Sequence, residues 1–133
     1  MEREHPCQIR LLGEMSKLIF HSDRRFRLFS YNAGHGLLLL RSGKTAQHST
    51  RLDVLFQDVR AMEIRSWSDG IEIREIPSEQ LVGFKSNPLE MVERGNQVYA
   101  LKGRGWEGFI VGGIVSVAED TSDFMAQSKL LPE

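Results

Sequence analysis

The sequence predicts a mainly β protein: an antiparallel β-sandwich or partly open barrel of about seven to nine strands. An N-terminal helix precedes the strands and a short C-terminal helix follows them. Three observations carry this. From Phe26 to Ala118 apolar and polar residues alternate in short runs, which is the period of a strand with one buried face. Glycine-, asparagine- and proline-rich punctuation interrupts those runs roughly every eight to twelve residues. No strand-like run is followed by a helical pattern of about ten residues, so a doubly wound parallel sheet is excluded.

The chain has 133 residues, of which 41% are hydrophobic and 26% charged. That length fits a single domain over residues 1–133, read as a helical segment (1–22), a β-rich core (26–118) and a tail (119–133). A chain of this size buries roughly 68% of its unfolded surface, enough for a core without disulfides or metal. The apolar content is too high for a disordered chain.

Residues 8–20 read as the helix, because Ile9, Leu11, Leu12, Met15, Leu18 and Ile19 recur at helical spacing. Gly13 opposes it by about 1 kcal/mol relative to alanine, and a strand over Gln8–Leu12 stays open. Strand alternation begins at Phe26. Asn32-Ala33-Gly34-His35-Gly36 turns the chain into Leu37–Arg41, making a first hairpin. Leu52–Phe56 and Val59–Arg65 are the next runs. Ser68-Asp69-Gly70 reads as a tight hairpin turn, followed by the alternating Ile71-Glu72-Ile73-Arg74. Leu81–Phe84 reads as a short strand and Gly103-Arg104-Gly105 as another turn. Gly112-Gly113 breaks the run from Trp106 to Ala118, marking a bulge, a bend or a close backbone approach. Ser122 caps a short helix over 123–129.

Charge excludes one class of function. Seventeen Lys and Arg against eighteen Asp and Glu leave a net charge of −1, which argues against a nucleic-acid binder working through bulk positive charge. The longest apolar stretch is Leu37–Leu40, far short of the roughly 18 residues of a membrane helix. No apolar run after the N-terminus has the length of a signal segment. Cys7 is the single cysteine, so no intrachain disulfide forms. The expected location is the cytoplasm.

Catalytic patterns fail their context. Gly103-Arg104-Gly105-Trp106-Glu107-Gly108 fits G-x-G-x-x-G, but a β-branched run follows where a dinucleotide site needs a helix. His5, His21, His35 and His48 have no metal-ligand spacing, and no serine lies in G-x-S-x-G. No cofactor and no metal is expected.

Several residues are candidate anchors for a partner. Trp67 and Trp106 each stand beside a turn, where an aromatic is either a core plug or an exposed anchor. Tyr31 and His35 flank the glycine-rich turn. Asp53 and Asp58 lie among apolar positions and read as solvent faces of strands. Arg24, Arg25 and Arg27 form the one basic cluster, fit for a phosphate or an acidic partner, or simply a solvated loop.

Leu52-Asp53-Val54-Leu55-Phe56-Gln57-Asp58-Val59-Arg60-Ala61-Met62-Glu63-Ile64, followed by Gly70-Ile71-Glu72-Ile73, resembles a pattern in small uncharacterised bacterial all-β proteins. Some of these are similar to immunity proteins, which neutralise a toxin by binding it. The resemblance covers about a fifth of the chain, implies a binder and transfers no functional residue.

The expected function is therefore a soluble binding protein with a protein partner, possible homo-oligomerisation through edge strands, and neither nucleic acid nor membrane. One alternative is a β-barrel that carries a small molecule or lipid. Another is an enzyme with dispersed acid and base residues, such as Asp53 with His35 or His48.

Overall fold

The computed structural model describes residues 16–83 and 95–131. Among them are eight strands: β1 (Lys17–Asn32), β2 (Leu37–Ser42), β3 (Arg51–Phe56), β4 (Ala61–Glu63), β5 (Trp67–Ile76), β6 (Gln97–Gly103), β7 (Trp106–Gly112) and β8 (Val115–Asp120). All pair antiparallel in one open sheet of order β4-β7-β6-β5-β1-β2-β3-β8. The expected β class and strand number hold. The layers are not two separate sheets.

Chain connectivity forces this sheet to coil. β3 and β4 are six strand spacings apart in the order, about 29 Å if the sheet were flat. Residues 57–60 alone join them, and five extended Cα steps reach at most roughly 18 Å. Residues 113–114 likewise join β7 to β8 across the sheet. The two links are stitched together. Gln57 N donates to Ile114 O and Gly113 N to Gln57 O, both at 2.8 Å. Arg60 N reaches Val111 O at 2.7 Å and Val59 N reaches Gly36 O at 3.0 Å. Gly112 is a close approach, because a Cβ there would lie 3.2 Å from Gln57 O.

Coiling makes one core from both halves of the sheet. Leu38, Leu40, Val54 and Phe56 meet Ile71, Ile73, Leu101 and Ile110 in a single buried cluster. The rings of Phe56 and Tyr99 bridge the halves at 5.6 Å, edge to face. Each such side chain contributes about 1.5–3 kcal/mol by leaving water.

β1 serves both halves. Its first part pairs with β5 and its last residues with β2. Opposite Gly70 the register slips: Ser22 pairs Ile71 and Arg25 pairs Asp69, so Asp23 and Arg24 oppose one residue. This is a bulge, and Gly70 supports it with a φ of 75°.

Four expectations are corrected here. The helix over residues 8–20 does not reach its C-terminal part, since Lys17–Phe20 is strand; residues 8–15 lie outside the described residues. Pairing with β5 outweighs the helical spacing of Leu18 and Ile19. Ser68-Asp69-Gly70 is not a hairpin turn but lies in the first part of β5, opposite the β1 bulge. Leu81–Gly83 closes a 3-10 helix (Ser78–Gly83) rather than forming a strand. Residues 123–129 form turns, not a helix. Their carbonyls have other partners: Arg51 Nη1 donates to Asp123 O at 2.7 Å and to Ala126 O at 2.8 Å, and Arg41 Nη1 donates to Phe124 O.

That last correction explains a second feature. Every residue of β3 is buried, although alternate ones point away from the core. The irregular tail covers the outer face of β2 and β3, with Phe124 edge-on to Phe29 at 5.3 Å.

Candidate functional site

The β1 bulge builds the site. Strict alternation would place Arg24 on the face of Phe26, away from Arg25 and Arg27. With the bulge re-aiming that stretch, all three arginines line one cavity of about 380 Å³ between β1 and the residue 42–50 loop. Arg41 and Lys44 complete its cationic wall, and Ser42, Thr45, Gln47 and His48 add polar groups. No carboxylate lines it among the described residues.

Most of these cations are held in place. Arg24 donates from Nη1 to Thr50 O at 2.7 Å and from Nη2 to Thr50 Oγ1 at 2.8 Å, with Glu119 at 3.6 Å. Arg25 Nε donates to Asp69 Oδ1 at 2.8 Å. This hydrogen bond holds the Asp69 carboxyl below its ordinary range and, together with the Asp69 charge, raises Arg25. Lys44 reaches Thr121 O at 2.9 Å and Asp123 at 3.4 Å. Arg41 is buried against Asp53. Each of these four cations thus has one carboxylate. Arg27 is exposed and pairs with no carboxylate among the described residues, so among them it is the arginine of this wall without an acidic partner.

Beside this wall stands Trp67, 46% exposed at the start of β5. Its backbone is opposite Arg27 in the ladder, and the Arg25 guanidinium lies over its ring at 4.8 Å. Trp67, Arg25 and Arg27 therefore form one exposed patch at the cavity rim.

Other candidates separate from it. Trp106 turns inward, half-buried against the core, and its Nε1 donates to Ser68 Oγ at 2.8 Å. Trp67 and Trp106 share only an internal void of about 10 Å³, the size of one water. The glycines around Trp106 have packing roles. A Cβ at Gly103 would stand 1.9 Å from Ser68 Oγ, and one at Gly108 would stand 2.0 Å from Glu63 O. Strand β7, not a helix, follows them.

Tyr31 and His35 are exposed and line a second cavity of about 660 Å³ with Gln127 and Leu131. Asp58 is exposed on the β3–β4 link with a φ of 56°, accepting from Arg60 Nε at 2.9 Å. Its backbone helps bend the link that coils the sheet. Asp53 is not on a solvent face. It is fully buried, accepting from Arg41 Nε at 2.7 Å and Nη2 at 3.1 Å, with Arg51 Nη2 at 3.6 Å. As a surface anchor it is ruled out by burial, and its carboxylate is already engaged.

Lys44, His48 and Phe124 were not singled out by sequence reasoning as a group with the arginines. They lie 17 or more residues away in the chain, and Gly70 opposite β1 was the sole local signal of the bulge. Among the described residues no group of three or more His, Cys, Asp or Glu side chains is placed to hold a metal ion. No described helix is long and apolar enough to cross a membrane. No protein-family model, curated protein or solved structure matches this chain.

Proposed function

We propose that this chain is a binding protein that recognises an acidic side chain on a partner protein, with Arg27 as the ionic anchor and Trp67 as the apolar one. The observation that carries this reading is the acid-free wall of the cavity, with one guanidinium that no described carboxylate neutralises. One arginine without an acidic partner suits one carboxylate, which its fork can take bidentately. It is too little for a nucleic-acid track, whose affinity rests on many phosphate contacts. Tryptophan and arginine side by side are also the residue types that dominate protein interfaces. Arg25 stacked on Trp67 limits the ring's freedom before binding, which lowers the ordering cost. The immunity-like resemblance points the same way, toward a specific protein partner.

The carrier reading has no room between the tryptophans, where the void holds one water, and its candidate site is the cavity of about 660 Å³ beside Tyr31 and His35. The dispersed-enzyme reading loses its proposed acid, since Asp53 is locked between two arginines.

The test is a paired affinity capture from lysate of the source cells, using wild type, Arg27→Glu and Trp67→Ala. A partner held by wild type and lost from both variants, with weakening as salt rises, is the expected result. A partner retained equally by all three would reject this surface.

A further inference from the structure

We infer that the free edge of β8 pairs with the same edge of a second copy of this chain. β8 ends the sheet, and no described residue pairs with its outer side. Sheet edges are normally blunted by short length, proline, lysine or a bulge. The opposite edge obeys this, because β4 has three residues. β8 has six, Val115-Ser116-Val117-Ala118-Glu119-Asp120, in unbroken register with β3. Its charged residues, Glu119 and Asp120, stand at its C-terminal end, and residues 115–118 carry no charge, proline or bulge.

The direction of its peptide groups follows from the ladder. Gln57 N donates to Ile114 O in the register that continues β3–β8, so Ile114 faces β3. Antiparallel residues alternate. Ser116, Ala118 and Asp120 therefore turn their N–H and C=O to β3, and Val115, Val117 and Glu119 turn theirs outward.

Self-complementarity selects a second copy as the occupant. A two-fold axis at Val117 sets outward residues against outward residues, as an antiparallel ladder needs. Val117, 41% exposed, then meets the partner's Val117. Val115 faces the partner's Glu119, and Ile114, 63% exposed, faces the partner's Asp120. No like charges stand opposite each other, whereas an axis at Glu119 would oppose two carboxylates. The same operation covers the two apolar residues that the edge leaves in water. This surface meets the cavity wall at Glu119, which lies 3.6 Å from Arg24, and does not depend on the reading given to the cavity.

Sedimentation equilibrium on the full chain from about 5 to 500 µM suits an interface this small. Wild type, Val117→Lys, Val117→Pro and Arg27→Glu are compared, with circular dichroism and thermal melting as controls. The wild-type mass should rise from 15.2 kDa toward twice that value with concentration. Val117→Pro removes one outward N–H and spares the β3 ladder. Both Val117 variants should fold as wild type and raise the dissociation constant at least tenfold, while Arg27→Glu should dimerise normally. A wild type that stays monomeric overturns the inference, as does a dimer that Val117→Lys leaves intact. A Val117→Pro chain that fails to fold would show that this N–H faces β3, and would overturn the pairing geometry.

Discussion

Two arginine clusters lie close together in this molecule and behave oppositely. Beneath the tail, Arg41, Arg51 and Asp53 are fully buried, with the partly buried Asp120 beside Arg51, in a cluster of two positive and two negative charges. At the cavity rim, Arg25 and Arg27 are exposed. Removing one partner from the first cluster strands a charge in a low-dielectric interior. Water screens the second, so a charge change there alters folding little. The sites also differ in purpose. Buried arginines organise an irregular segment by donating to its carbonyls, and exposed ones remain available to a partner.

The largest expected effect is on the buried side. Asp53→Ala should destabilise the fold by about 3–5 kcal/mol, measured by urea denaturation, because two guanidiniums lose their shared carboxylate. A loss below about 1 kcal/mol would mean the cluster is hydrated and its burial is not decisive. Tyr99→Phe comes next. The Tyr99 hydroxyl donates to Gly113 O at 2.8 Å, holding the β7–β8 link, so its removal should cost about 1 kcal/mol. Burial and then the Glu75 charge raise the Tyr99 pKa above its ordinary 10.0. The unfolded chain therefore releases this proton first as pH rises past 10.0, and stability falls there. The Phe variant should lack that alkaline loss.

Asp120 provides an acid counterpart. Burial pushes its carboxyl up, but the Ser122 backbone hydrogen bond and Arg51 together outweigh this and hold it below 3.8. Its contribution is complete above its unfolded value and is lost as pH falls through the lower folded one. Asp120→Asn should flatten the stability profile below about pH 4 and leave the alkaline limb unchanged, as followed by acid titration of circular dichroism. The smallest effect on folding belongs to Arg27→Glu, expected within about 0.5 kcal/mol of wild type while abolishing partner capture. A large stability loss in that variant would erase the contrast between the two clusters.

Legibility follows the same division. Turns whose residues act locally were readable: Gly36 and Gly105 both have positive φ between paired strands. Asp-Gly at 69–70 was misread, because the positive φ that suits a hairpin turn here lies within a strand, opposite the two-residue bulge of β1. Nothing local distinguishes the two. Asp53 shows the other limit. Alternation correctly put it on the face opposite Val54, yet that face is dry because a segment some 70 residues later covers it.

By itself, the sequence determined a β chain, since a two-residue apolar period can bury one face only as a strand. It also placed the turns at Gly36 and Gly105 and set a near-balanced charge. Tertiary structure alone decided which strands neighbour which, and thus that four-residue and two-residue links bring both halves of one sheet into a shared buried cluster. It decided that Arg24, Arg25 and Arg27 share a cavity with Arg41, itself fully buried against Asp53, while Arg51 is buried under the tail. Register, bulge and cover arise from contacts between distant segments, and the energy of an ionic side chain depends on the dielectric those contacts create.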